Sequence, residues 1–292
     1  MPDATSSAEF RPLPAPRQVD SSGGVHLATY DLGGEGPDLL MVHATGFCAG
    51  VWSPIAERLT DTHLAALDVR GHGRSSVPEG GMAWEGTADD VLATVDALGL
   101  SDVFGVGHSM GGASLVLAEQ ARPGTFRGLW LFEPIIFPDE LRMPTDEENP
   151  LSAGARRRRA VFDSPGAAVE NFASKPPFDA LDPAALAAYV EYGFDMLPDG
   201  SVTLRCRPDV EAQTYTMGAR HHAMEHLGEL GCPVTVVRGR VDVPGPAALA
   251  GLISERLPHG RLEEHPELGH FGPLEAPGAM AGSIRVAVTA AS

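Results

Sequence analysis

Ser109 closes an apolar run and is fenced by Gly107 on one side and by Gly111 and Gly112 on the other, in the stretch VFGVGHSMGGA that begins at Val103. Glycine suits the interior of neither a strand nor a helix. Set two before and two after a serine, between an apolar run and the helix-like GGASLVLAEQA, it serves a sharp strand–turn–helix. Such a turn holds the serine in strained backbone and lifts its hydroxyl to the amino end of the following helix. Unpaired N–H groups and the helix dipole stabilise an anion there. The chemistry served is attack of a serine oxygen on a carbonyl carbon.

A serine hydroxyl is a weak nucleophile until a base takes its proton. For a nucleophile on this kind of turn the chain order is serine, acid, histidine. Of the eleven histidines, His270 in ELGHFGPLEAP follows the last apolar run on a loop and precedes a terminal helix starting near Pro273. That places it at the sheet edge where Ser109 sits, and His270 is the expected base. His221, His222 and His226 fall in a long insertion, and His265 falls on the last strand. Two carboxylates compete to orient His270. Asp242 follows PVTVVRG in GRVDVPG, and Glu133 ends GLWLFEP. Asp242 is preferred because its Gly239-x-x-Asp242 turn follows the penultimate strand. Glu133 stays open as the alternative acid, or as an anchor of its own loop. The oxyanion needs two N–H donors. Met110, directly after the nucleophile, is one, and Thr45 in the loop His43-Ala44-Thr45-Gly46-Phe47 is the other.

These residues need elements to bring them together. Apolar runs bounded by turn residues begin at Val25, Asp38, His63, Asp102, Gly128, Pro233 and Gly260. Several are near-continuous rather than alternating, as in strands buried on both faces of a parallel sheet. Between them lie helix-like stretches. SPIAERLT from Ser53 carries an N-cap serine and an early proline, and GTADDVLATVDALGL from Gly86 ends on a C-cap at Gly99. The alternation predicts an α/β fold with a mostly parallel sheet, its first two runs forming an antiparallel opening. The rhythm stops between about Pro138 and Leu230. The expected organisation is a loose tail over residues 1–17, a core over 18–137 and 231–292, and a helical cap insertion over 138–230.

HATGF, DVRGHGRS from Asp68, GHSMGG, GRVD and GHFGPLEAP, in this order, resemble the motifs of α/β-hydrolase-fold enzymes, and the resemblance runs from about Val25 to the end. One departure is Ala44, where members often have glycine. The resemblance implies an eight-stranded sheet, a helical cap after the sixth strand, and an acyl-enzyme mechanism with no cofactor. The implied activity is serine hydrolysis of a small or medium ester, lactone, thioester or carbon–carbon bonded ketone, with cofactor-free perhydrolysis as a family variant. A serine rather than an aspartate nucleophile disfavours epoxide hydrolysis and haloalkane dehalogenation. The alternative is a non-hydrolytic ligand-binding or cyclising protein on the same scaffold.

Composition narrows the partners. With 21 basic and 39 acidic residues the net charge is −18, which argues against nucleic acid or an anionic membrane surface as partner, while the small-molecule substrate is what the hydrolase reading implies. No stretch approaches the roughly 18 apolar residues of a membrane span, and the start has no apolar signal region. Cys48, Cys206 and Cys232 are an odd number with no CxxC spacing, so free thiols in a cytoplasm are expected. His222-x-x-Glu225-His226 matches a zinc signature, yet no metal is expected because the serine machinery is complete without one. Arg156 to Arg159 circle their helix, so at most one points inward. Phe162, Phe172, Phe178, Tyr189, Phe194 and Met196 are expected mainly to pack the insertion's own core.

Overall fold

Leu39, Leu40, Met41 and Val42 are all fully buried, yet alternate residues pack into two different cores. That is how a near-continuous apolar run behaves in a sheet covered on both sides. The computed structural model describes residues 12–141, 150–218, 220–242 and 244–291. Residues 1–11 of the expected tail lie outside the described residues.

The first part of the chain forms strands β1 (Arg17–Ser21), β2 (Val25–Gly33), β3 (Asp38–Val42), β4 (His63–Asp68), β5 (Val103–His108) and β6 (Phe126–Phe132). Helices α1 (Ser53–Ala56), α2 (Trp84–Leu98) and α3 (Met110–Ala121) lie between them. The stretch after β6 holds α4 (Pro150–Arg156), α5 (Pro165–Ala173), α6 (Pro183–Gly193) and α7 (Pro208–Met217). It also holds three short strands, β7 (Val161–Phe162), β8 (Phe194–Met196) and β9 (Val202–Leu204). The chain then returns through β10 (Val234–Arg238), α8 (Pro246–Arg256), β11 (Gly260–Glu264), α9 (Gly272–Glu275) and α10 (Pro277–Ala290).

The main sheet has eight strands in the order β1-β2-β4-β3-β5-β6-β10-β11. β2 runs antiparallel to β1 and β4, and the remaining pairs are parallel. The antiparallel opening is therefore real, but the runs at Val25 and Asp38 do not pair. β4 lies between them, and β2 pairs instead with β1, a strand whose RQVDS sequence shows no apolar run. One face of the sheet packs on α1 and α10 through Ile55, Met280 and Ile284. The other packs on α2, α3 and α8 through Val91, Leu115 and Ile253. α2 ends on Gly99 at φ +66°, whose N–H reaches the Asp96 and Val95 carbonyls, as its sequence requires.

The insertion between β6 and β10 differs from its reading as helices alone. β7, β9 and β8 pair into a three-stranded antiparallel sheet. Two or three residues are too few for an alternating pattern to show. α6 sets Tyr189 against Phe47, with ring centroids 5.1 Å apart, so the insertion meets the loop that follows β3.

Candidate active site

Ser109 has φ +55° and ψ −113°, a conformation that L-residues avoid. Strain of this kind costs about 1–3 kcal/mol and persists only where the surroundings over-determine it. Here the Ser109 N–H donates to the Phe132 carbonyl at 2.9 Å, and the Ser109 carbonyl accepts from Ile135 and Ala113 at 3.2 Å each. The fencing glycines have a steric cause. A Cβ on Gly107 would lie 2.7 Å from the Gly112 backbone, and one on Gly111 would lie 2.1 Å from the Val42 carbonyl oxygen. α3 starts at Met110, and the first N–H groups of a helix have no acceptor within it.

His270 stands on the loop after β11, with Nε2 3.2 Å from Ser109 Oγ and Nδ1 2.5 Å from Glu133 Oε2. Glu133 therefore holds Nδ1–H, and Nε2 is free to accept from the serine hydroxyl. Glu133 is only 2 % exposed. Its other oxygen, Oε1, accepts the Gly239 N–H at 2.8 Å. The preferred acid of the sequence, Asp242, is corrected here. Its side chain is 63 % exposed and accepts from Arg240 Nε at 2.6 Å. The physical reason lies in the backbone after β10. Gly239 turns in to Glu133, and the Arg240 N–H binds the Leu268 carbonyl at 2.8 Å. Asp242 lies beyond that anchorage and faces solvent.

Thr45 lies on a tight turn after β3, closed by Phe47 N–H donating to the Ala44 carbonyl at 3.2 Å. The left-handed position of this turn is Gly46, at φ +82°, rather than residue 44. Alanine at 44 is therefore no obstacle. His43 fixes the turn from behind. Its Nδ1–H donates to the Ala44 carbonyl at 2.8 Å, and its Nε2 accepts the Val69 N–H at 3.0 Å. Full burial lowers its pKa to about 4, which keeps the ring in the neutral form that this pairing needs.

Sequence reasoning passed over His108. It is buried beside the serine and donates Nε2–H to the His270 carbonyl at 2.7 Å. Burial first, and the nearby His270 second, hold it well below the usual histidine range. The elbow strand thus grips the His270 loop through a neutral ring. The signal was present as the residue before the serine, but a strand-end histidine does not announce its partner. Phe271 lies 5.3 Å from Phe47 and 5.7 Å from Phe178, centroid to centroid.

The remaining motifs also have places. Phe162, Phe172, Tyr189 and Phe194 are buried in one apolar cluster, Phe178 is half-buried against it, and Met196 is exposed. Of the four arginines, Arg156, Arg157 and Arg159 are exposed, and Arg158 turns inward to Glu211 and Tyr189. The zinc-like segment is a series of turns rather than a helix, so it does not align its histidines on one face. His221 is buried and donates to the Ile135 carbonyl at 2.7 Å, while His226 is exposed and pairs with Glu229 at 2.8 Å. Asp139, His222 and Glu225 cluster with their ligand atoms within 4.8 Å of one another, all exposed. The three cysteines are buried free thiols. No helix among the described residues is long and apolar enough to cross a membrane.

The model of the alpha/beta hydrolase family matches residues 39–283. The chain belongs to that family. The 2-(acetamidomethylene)succinate hydrolase of Mesorhizobium japonicum is 28 % identical over 241 residues, covering 82 % of this chain and 83 % of that one. Lipase LipV of Mycobacterium tuberculosis is 26 % identical over 275 residues, covering 89 % and 96 %. Among solved structures, that of E-2-(acetamidomethylene)succinate hydrolase superposes with a TM-score of 0.80 at 24 % identity, covering 96 % of this chain and 100 % of that one. Within the alpha/beta hydrolase frame the strands carrying Ser109, Glu133 and His270 all end at the same sheet edge.

Proposed function

We propose that this chain is a serine hydrolase that cleaves a small or medium carbonyl compound through an acyl-enzyme intermediate. The observation that carries the reading is the continuous chain Ser109 Oγ to His270 to buried Glu133. Ser109 Oγ attacks the carbonyl carbon while its proton passes to His270 Nε2. Glu133 fixes the ring tautomer and stabilises the imidazolium. The N–H groups of Met110 and Thr45 receive the developing oxyanion. His270 then gives its proton to the leaving group. Water, deprotonated in turn by His270, releases the acid and restores the serine. A ligand-binding scaffold has no need of a strained serine, its base and a buried acid in hydrogen-bond sequence, and this favours the hydrolase.

The substrate range of the proposal is an ester, lactone, thioester or carbon–carbon bonded ketone. Relatives named 2-(acetamidomethylene)succinate hydrolase and N-formylmaleamate deformylase add amides to the range to be screened. The first test is labelling with a fluorophosphonate, followed by turnover on a panel of esters, lactones, thioesters and amides. The wild type should be labelled once, and Ser109→Ala should be unlabelled, folded and at least a thousandfold slower. An unlabelled wild type, or a Ser109→Ala variant keeping over a tenth of the turnover, sinks the reading.

A further inference from the structure

Arg158, just past α4, and Glu211 on α7 form an ion pair with side chains 20 % and 5 % exposed. Arg158 Nη1 donates to Glu211 Oε2 at 2.5 Å, and Nη2 donates to the Tyr189 hydroxyl of α6 at 2.7 Å. The guanidinium carbon also lies 5.9 Å from the centroid of Phe172 on α5. Four segments of the insertion thus meet at one charge pair. Burying two ions is costly, and a packed apolar pair is often as stable or more so. Stability alone is a weak reason for placing the pair here.

The pair's other neighbour gives a better one. A Cβ on Gly46 would lie 2.9 Å from Glu211 Oε1 and 3.4 Å from Arg158 Nη1. Gly46 follows Thr45 directly, and Phe47 packs on the same Tyr189 that Arg158 binds. The turn carrying the Thr45 N–H is therefore held from behind by His43 and closed on the insertion side by the ion pair. We propose that Arg158 and Glu211 are positioning residues that hold the Thr45–Gly46–Phe47 turn so that the Thr45 N–H is aimed at the oxyanion. This rests on the reading of Thr45 as a donor in a serine hydrolase. Active-site assembly then depends on the insertion being seated, because the brace comes from α6, α7 and the segment just past α4 while the turn belongs to the core.

The consequence falls on kcat rather than KM. An oxyanion exists only near the transition state, so a mis-aimed donor weakens that state and leaves substrate binding alone. Removing one donor outright costs about 10²–10³ in kcat, so a displaced one should cost about ten- to a hundredfold.

The variants are Glu211→Gln, Tyr189→Phe and the double Arg158→Met/Glu211→Leu. The last removes both charges together, because Arg158→Met alone strands a buried carboxylate and can unfold the protein. Each is measured for kcat and KM on a neutral short-chain ester, for thermal midpoint, and for affinity to a trifluoromethyl ketone. That inhibitor forms a tetrahedral oxyanion on a working serine. Glu211→Gln should lower kcat ten- to a hundredfold with KM within threefold, and ketone affinity should fall by the same factor as kcat/KM. Tyr189→Phe should show the same pattern at about three- to tenfold. The double variant should keep a near wild-type midpoint with the kcat defect intact. A folded Glu211→Gln or double variant with kcat within threefold of wild type, or a Tyr189→Phe variant with unchanged kcat, overturns the proposal. So does a double variant whose kcat returns with its stability, or a kcat loss with ketone affinity unchanged. Fluorophosphonate labelling of the wild type keeps the two readings apart. A labelled enzyme with unaffected variants sinks only the brace, whereas an unlabelled one sinks the hydrolase and the brace together.

Discussion

Both oxygens of Glu133 are spent, one on the His270 ring and one on the Gly239 N–H, and both partners are donors. An amide in its place offers a single acceptor oxygen and sets an NH2 group against one of those donors. Glu133→Gln should therefore lose the imidazolium partner and disturb the turn after β10. In a triad the equivalent change costs about four orders of magnitude in kcat. Asp242→Asn should stay within about twofold, because that side chain is exposed and, among the described residues, pairs with Arg240 at the surface. Measuring kcat for both variants on one substrate, with circular dichroism to confirm folding, decides it. A larger loss for Asp242→Asn would return the acid role to the turn after β10. The serine and histidine were legible because local signals carry them, glycines around a turn and a loop after the last strand. The choice between two strand-end carboxylates was not. It depends on where the backbone goes after β10, and that is set by the Arg240 bond to Leu268, a contact across the sheet edge.

The elements repeat this division. β3, β4, β5 and β6 declare themselves because burial on both faces demands continuous apolar sequence, and α2 declares its end because glycine takes φ +66° without the Cβ penalty that other residues carry. β1 and the three strands of the insertion do not, being polar or very short, with pairing that comes from tertiary neighbours. The elbow is the element where sequence and sterics agree most closely, and it can be tested with two alanines. Gly111→Ala drives a Cβ to within 2.1 Å of the Val42 carbonyl, a backbone atom that cannot step aside cheaply. Overpacking of this kind costs about 1–3 kcal/mol. At about 2–4 °C per kcal/mol that is a fall of roughly 2–12 °C in the thermal midpoint. Turnover should collapse too, because Ser109 rides on the same turn. Gly282→Ala is the opposite case. It lies inside α10 with nothing within 4 Å of its new methyl, so it should raise stability by about 0.5–1 kcal/mol. Calorimetry on the two variants should show midpoints moving in opposite directions. A midpoint unchanged in Gly111→Ala would mean that the elbow is not as tightly enclosed as its geometry states.

At the scale of the whole molecule, the fold stores a set of neutral histidines. His43, His72, His108 and His221 are all buried, and burial is the first cause lowering each of their pKa values, to about 4 for His43 and about 3 for His72. In the unfolded chain each returns to about 6.5. Between the folded and unfolded values the unfolded chain binds the extra proton. Stability is therefore fully present above pH 6.5 and is lost as pH falls toward the folded values. Each group adds up to about 1.4 kcal/mol per pH unit of slope in that window. Two effects pull the other way. The buried carboxyls of Asp68 and Glu211 are raised by burial, and acid relieves the self-repulsion of a chain with net charge −18. The total slope mixes all of these, so the informative quantity is a difference. His72 packs 5.3 Å from the His43 ring, has no hydrogen-bond partner at Nε2 among the described residues, and donates Nδ1–H to the Arg70 carbonyl at 3.0 Å. His72→Asn keeps a donor near Nδ1 and has nothing to titrate. Denaturant unfolding of both proteins from pH 7.5 to pH 5 should show the variant less stable at the upper end. The gap should narrow by roughly 2 kcal/mol on the way down, as the wild type alone gives up the His72 contribution. Stability curves that stay parallel over that range would mean that His72 is not held neutral by the fold.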